Sequence, residues 1–359
     1  MSTPPAIAAR APSEPSRALS ILRKTLSLVG TLALTFLGLL AITFVIGRVI
    51  PIDPVLAVLG ERATQEQYET AREAMGLNDP VWWQFVLYVR DALQGDFGTS
   101  LLTARPVIED VARVFPATLE LATIATLIGV ALGIPAGVLA AVRPGSWIDQ
   151  VVRVLGLIGY SIPVFWLGLM ALLLFYGELG WTGGPGRLDT VYEFQYELDV
   201  VPVTGAILID TALAGAWDIW ANALSHVILP AAVLGYYSTA YISRMTRSFM
   251  IDQLGQEYVT TARVKGMPEW RVVWVHALGN VWVPLITVIA LTYAYLLEGS
   301  VLTETVFAWP GLGLYITNAL FSADLAAVMG GTVVVGATFI FLNMISDVLY
   351  GFVDPRARA

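Results

Sequence analysis

Side chains able to do chemistry are sparse in this 359-residue chain, and they do not gather into a working set. There is no cysteine, which removes disulfides, thiolate metal sites and thiol nucleophiles together. The two histidines, His226 and His276, stand far apart without further ligands beside them, so both read as structural or interfacial residues. A serine such as Ser161 would need a base to become a nucleophile, and no convincing partner set accompanies it. The phosphate-cradling pattern Gly-x4-Gly-Lys-Ser/Thr is missing, and the two lysines, Lys24 and Lys265, lie in other contexts. No catalytic centre, metal site or cofactor site is therefore expected in this chain.

The elements that carry these residues are those of a membrane protein. Apolar and aromatic residues make up 57% of the chain and charged residues only 13%, against about 25% charged in a typical soluble domain. Crossing a hydrocarbon core about 30 Å thick takes roughly 20 apolar residues in a helix. Six stretches meet or approach that length: 25–47, 121–142, 154–177, 221–243, 273–297 and 325–346. The expected fold is an all-α, polytopic membrane protein with six transmembrane helices. The first stretch reads as a retained anchor, because its apolar run outlasts a signal core and no small-residue cleavage site follows. Residues 1–20 read as a disordered cytoplasmic tail and 21–359 as one transmembrane domain.

Charge orients the bundle. Thirteen of the 20 basic residues fall on the tail, the second and fourth connections and the C-terminal end, among them Arg143, Arg153, Arg244, Arg247, Arg263, Lys265 and Arg271. Positive residues mark the cytoplasmic face, so both termini are expected inside. The external loop 51–116 and the external insertion 179–222 are expected outside. Trp181, Trp217 and Trp220 of that insertion suit headgroup anchoring. The formal net charge of −8 leaves no basic face for nucleic acid. An acidic, lysine-poor balance also fits a cell working at high salt, such as a halophilic archaeon.

Packing devices accompany the spans. Gly129, Gly133 and Gly137 repeat every four residues and line one helix face for close backbone approach. Pro135, Pro163, Pro230 and Pro284 lie within or at the ends of spans, serving either as packing kinks or as hinges. The span centres hold no Asp, Glu, Lys or Arg, which argues against an ion-coupled secondary transporter. Glu298 is expected to end the fifth span, with Asn343 and Asp347 near the end of the sixth.

The connection 244–272 carries the most information. Met250, Leu254, Tyr258 and Ala262 recur at intervals of four and would align along one helical face. Gly266 stands where a helix stop needs positive φ. Pro268 and Glu269 suit the first turn of a helix leading into the fifth span. This pattern predicts two short helices joined by a tight glycine turn, either touching another protein or lying on lipid.

The run Tyr258-Val-Thr-Thr-Ala-Arg-Val-Lys-Gly266, followed by His276-Ala-Leu-Gly-Asn280 and Pro284, resembles the EAA loop of ABC-transporter permeases. The closer resemblance is to the dipeptide/oligopeptide/nickel branch of prokaryotic importers. Its further motifs are Pro51-Ile-Asp-Pro54, Met75–Pro80, Gly95-Asp-Phe-Gly-Thr-Ser100, Pro116-Ala-Thr-Leu119, Glu304–Gly313 and Asp354-Pro-Arg356. The resemblance implies a type I importer permease fold and a multi-pass place in the cell membrane. It also implies that the loop is a coupling helix seated on a separate ATPase subunit. The implied coupling residues are Glu257, Tyr258, Thr260, Thr261, Ala262, Arg263, Lys265 and Gly266, with Ala262 and Gly266 at the motif's small-residue positions. Thr260 stands where the motif's namesake glutamate falls, a departure that removes one charged contact.

The partners implied are two ABC ATPase subunits, which would bind the ATP and Mg, a second homologous permease in a heterodimer, and an external solute-binding protein. Peptides are the expected cargo. Nickel chelates and saccharides are the alternatives within the branch.

Overall fold

The computed structural model describes residues 17–49, 53–60 and 62–353. Within them the regular elements are helices, joined by one isolated bridge between Thr99 and Pro106. Helix α1 spans Arg17–Val49, and three short helices follow: α2 (Pro54–Leu59), α3 (Gln65–Ala74) and α4 (Val81–Leu93). The long α5 (Val107–Val142) leads to α6 (Trp147–Ser161) and α7 (Val164–Ala171), the latter continued by a wide π-helical segment, Leu172–Glu178. Two further short helices, α8 (Thr190–Asp199) and α9 (Ile207–Ala214), precede the 38-residue α10 (Trp217–Leu254). Beyond it come α11 (Glu257–Val264), α12 (Glu269–Arg271), a π-helical turn Val272–Ala277, α13 (Leu278–Val306), α14 (Leu312–Phe321) and α15 (Leu325–Val353).

Among the described residues five helices are long and apolar enough to cross a bilayer, and α6 with α7 completes six if that pair counts as one span. The third span is thus not the continuous rod that its apolar run suggested. It bends by 100° between α6 and α7, at Ile162-Pro163. Pro163 cannot donate to the preceding turn, and it pushes Ile162 into extended backbone, φ −86° and ψ 126°. The other internal prolines, Pro116 and Pro135 in α5, Pro230 in α10 and Pro284 in α13, lie within unbroken helices.

Two expected boundaries also move. The expected tail lies outside the described residues over 1–16, whereas Arg17–Ser20 belong to α1. The fifth span does not end at Glu298, because α13 continues to Val306 with Glu298 exposed on its surface. Charge ends an apolar run in a sequence. It does not end a helix whose next turns are buried by neighbours. Asp354-Pro-Arg356 lies outside the described residues.

Helices α5 and α10 form the centre. A Cβ on Gly129 would stand 1.9 Å from the Ser238 hydroxyl, one on Gly133 3.0 Å from Ile242, and one on Gly137 2.6 Å from the Ser243 carbonyl. The glycine stripe is therefore the contact face itself, where small residues let two backbones close and gain dispersion contacts. Ile134, Val138, Ile242, Val281 and Leu285 carry that contact on to α13.

At the start of α10 the bundle is tied by buried polar groups. The Glu304 carboxylate accepts from Thr118 Oγ1 at 2.8 Å, Ser300 Oγ at 2.9 Å and the Leu314 amide at 3.0 Å. Asp324 caps α15 at the Ala327 amide and accepts from Ser100 Oγ at 2.6 Å. Arg187 of the 179–222 insertion meets Glu120 of α5 at 2.6 Å and lies over the Trp309 ring. The insertion packs its own small core, with Val200, Ile207 and Ile219 buried. Trp181 and Trp217 are exposed on it. His226 is buried beneath the insertion, with Nδ1 3.0 Å from the Gly184 carbonyl, a structural placement.

Candidate functional site

The connection between the fourth and fifth spans lies at the far end of α10 from these ties. Gly255 closes α10, and Gln256 is extended at φ −79° and ψ 153° before α11 begins. That one extended residue resets the helical phase, so the four-residue stripe expected from Met250 through Ala262 does not form one face. Met250 and Ala262 are buried, Leu254 is half-buried, and Tyr258 is exposed. The inward residues of α11 are Val259 and Ala262, packed with Val272, Leu254 and Met267.

The end of α11 is a two-bond glycine stop. The Met267 amide donates to the Ala262 carbonyl at 3.2 Å, and the Gly266 amide donates to the Arg263 carbonyl at 2.9 Å. This is the pairing of a Schellman motif, which needs its penultimate residue in left-handed backbone. Gly266 has φ +76°, and a Cβ there would meet nothing within 4 Å. Backbone conformation, not crowding, is what selects glycine. The turn is then braced by Arg263 and Glu269, whose side chains meet through two contacts at 2.6 and 3.2 Å. That hydrogen-bonded carboxylate pushes the Arg263 guanidinium above its ordinary value.

The expected site residues therefore divide into two sets. Ala262 faces its own chain and Gly266 makes the turn, while Glu257, Tyr258, Thr260, Thr261, Arg263 and Lys265 lie on the outer surface. Tyr258 donates to the Gln253 side chain at 2.9 Å, which fixes its ring along the end of α10. The outer surface offers hydroxyls, one carboxylate and one cation on a helix of eight residues, with Lys265 just past its end. It can dock on a partner, and it holds no group placed for bond chemistry.

The family model for the binding-protein-dependent transport system inner membrane component matches residues 133–359, and the model of that component's N-terminal part matches residues 20–122. The chain belongs to this family. Among its relatives is a probable D,D-dipeptide transport system permease protein of Escherichia coli, 43% identical over 90% of this chain and 94% of the relative. A di/tripeptide transport system permease protein of Pseudomonas aeruginosa is also 43% identical, over 92% of this chain and 97% of the relative. An oligopeptide transport system permease protein of Bacillus subtilis is 35% identical over 94% of this chain. This chain is thus an ABC-importer permease subunit, a multi-pass protein of the plasma membrane and a transport component in its own right.

Two features of the permease, one in this loop and one far from it, escaped the sequence reading. Val264 is 83% exposed and Trp270 64% exposed, one on each side of the Gly266 turn. They form an apolar rim beside the polar face of α11. The signal was present in Val264, which stands off the four-residue stripe, but the stripe assumed one continuous helix. The second omission is Glu304, fully buried although its motif reads as an external segment.

Proposed function

We propose that the permease forms half of the translocation path of an ATP-driven importer for di- and oligopeptides, with α11 as the handle that a separate ATPase grips. The peptide assignment rests on the relatives, which are named for dipeptide, di/tripeptide and oligopeptide transport. The observation that carries the mechanical part is the construction of α11. Its inner face is packed against Val272 at the root of the fifth span, and its outer residues Glu257, Thr260, Thr261 and Lys265 are exposed.

A force applied to α11 passes directly into two spans. Gly255 joins α11 to α10, and the Arg263–Glu269 pair together with Val272 joins it to the helix that becomes α13. Closure of two ATPase subunits on nucleotide would then rock α10 and α13 and switch the path between its two faces. Six spans enclose too little volume for a peptide path alone, so a second homologous permease completes it as a heterodimer. An external solute-binding protein delivers peptide to the side bearing the 179–222 insertion. ATP and Mg belong to the ATPase subunits, and the termini and α11 face the cytoplasm.

The chain's lack of cysteine makes the test direct. Val264→Cys introduces a single thiol at the exposed rim. In the assembled importer it should cross-link to an ATPase subunit, with a yield that changes between nucleotide-free and ATP-bound states. A thiol that labels freely from water in the assembled complex, with no cross-link in either state, would overturn the coupling assignment.

A further inference from the structure

We propose that the cleft between α6 and α10, beside the coupling loop, is a binding site for an anionic phospholipid. The cleft has a volume of about 610 Å³. Its lining carries three guanidinium groups, Arg153, Arg244 and Arg247, and no carboxylate. Arg247 is spoken for: its Nε and Nη2 donate to Asp149 at 2.5 and 2.9 Å, a carboxylate buried behind the wall. Asp149 is itself saturated, since its second oxygen also accepts from the Gly145 amide at 2.8 Å. Arg153 and Arg244 are exposed and have no ion-pair partner among the described residues. The cleft thus keeps two guanidinium groups that form no ion pair among the described residues, beside an anchored third.

The remainder of the lining is of a different character. Val154, Leu157, Gly156 and Ala240 continue the cleft along the apolar bodies of α6 and α10. Gly156 leaves the floor open, because a Cβ built there would come no nearer than 3.9 Å to the Ala240 carbonyl. Cations at one end and an apolar trough running from them match a phosphate headgroup with its acyl chain. Guanidinium forks suit phosphate oxygens bidentately. Basic pockets between transmembrane helices at the cytoplasmic surface recognise anionic headgroups in this way. A free anion would use the arginines and leave the trough unused. A lipid uses both.

The site sits at a mechanically important place. Arg247 lies two turns before the end of α10, and its Asp149 partner opens α6 after the bundle's second span. A lipid phosphate bridging Arg153 of α6 and Arg244 of α10 would add a second clamp between the same two helices. This lipid would hold α10 against α6 near the point where α11 pulls.

The test uses the full-length permease in its purified, delipidated complex and native mass spectrometry. Phosphatidylglycerol should be retained at least tenfold better than phosphatidylcholine of the same acyl chains. Arg153→Gln with Arg244→Gln should erase that preference, while Gly156→Leu, which fills the trough and leaves the charges in place, should lower phosphatidylglycerol retention severalfold. Circular dichroism and size-exclusion elution identify variants that remain folded. Equal retention of both lipids by the unaltered complex would overturn the proposal. So would displacement of phosphatidylglycerol by millimolar inorganic phosphate, which would mark a site for free anions. A second permease covering the cleft would show itself as unchanged retention in Gly156→Leu, and this too would overturn it.

Discussion

Thr118 and Glu304, one in the second span and one in the last turn of the fifth, share a buried hydrogen bond of 2.8 Å. The same threonine oxygen accepts from the Leu312 amide at 2.8 Å, and Trp309 donates its indole N–H to the Ala117 carbonyl at 2.9 Å. Two motifs that the sequence presents nearly two hundred positions apart, Pro116–Leu119 and Glu304–Gly313, are therefore one structural knot. It fixes the start of α14 and closes the bundle at the end remote from α11.

Thr118→Val should expose the importance of that knot. Valine keeps the shape of threonine but leaves the Leu312 amide and a carboxylate oxygen of Glu304 each short of a partner. A buried group left unsatisfied costs about 1–3 kcal/mol, so the thermal midpoint of the detergent-solubilised permease should fall. Thr118→Ser, which retains the hydroxyl, should recover most of the loss. Equal midpoints for the valine and serine variants would show that the hydroxyl contributes only volume.

A second tie predicts an asymmetric result. Glu120 has 4% of its side chain exposed and Arg187 16%, at a separation of 2.6 Å. Glu120 also accepts from the Leu208 amide at 2.8 Å. Arg187→Met strands the buried carboxylate and should destabilise by about 3–5 kcal/mol, whereas Glu120→Gln with Arg187→Met should recover a substantial part. Limited proteolysis within residues 190–215 reads the effect locally, because the pair is one of the ties that hold the insertion to α5. Unchanged cleavage in Arg187→Met would remove the pair from that role.

How far the sequence spoke depended on the range of the interaction. Hydropathy located the five unbroken candidate spans and the apolar run of the bent α6–α7 pair, though not its bend, since a crossing draws on about twenty apolar residues at once. The glycine stripe of α5 and the Gly266 stop were equally legible, because each follows from local backbone geometry. The phase of α11 was not. One extended residue, Gln256, rotates the helix so that Val259 replaces Tyr258 on the inner face. No periodicity can register a break that short. The buried role of Glu304 was hidden for a different reason: its donors come from α5, from its own helix and from the amides opening α14, and only the assembled bundle brings them together.

Substitutions at the Gly266 turn should separate conformation from bulk. Nothing lies within 4 Å of a Cβ at Gly266, yet its φ is +76°. Gly266→Ala should thus cost only the left-handed penalty, about 1–2 kcal/mol, and asparagine less. Proline, fixed near φ −65°, cannot adopt the turn and also loses the amide that bonds Arg263. Ala262→Arg forces a long cation into the contact with Val259 and Val272. Both Gly266→Pro and Ala262→Arg should abolish peptide uptake and ATPase stimulation in reconstituted importers while membrane insertion stays intact. Uptake ordered Gly > Asn > Ala > Pro at position 266 is the expected signature. Unchanged uptake in the proline variant would remove the turn from the mechanism.

The 179–222 insertion should weaken in acid through Asp210. Burial by itself would raise the pKa of this carboxyl, but hydrogen bonds from the Thr204 amide, the Thr204 hydroxyl and the Gly205 amide outweigh it, and the net shift is downward. The three donors lie at 2.8 Å each. A group whose pKa is lower folded than unfolded stabilises the fold above its unfolded value, and that contribution is lost as pH falls through the folded value. An unperturbed aspartate titrates at about 3.9, so the turn at Thr204–Gly205 should hold at neutral pH and loosen progressively below about pH 4. Hydrogen exchange of the Thr204 and Gly205 amides, corrected for intrinsic rates, should accelerate over that range. Asp210→Asn should exchange faster already at pH 7 and respond little to acid, since its amide accepts with one oxygen and cannot titrate. A pH response in Asp210→Asn as steep as in the unaltered chain would assign the acid sensitivity to another carboxylate.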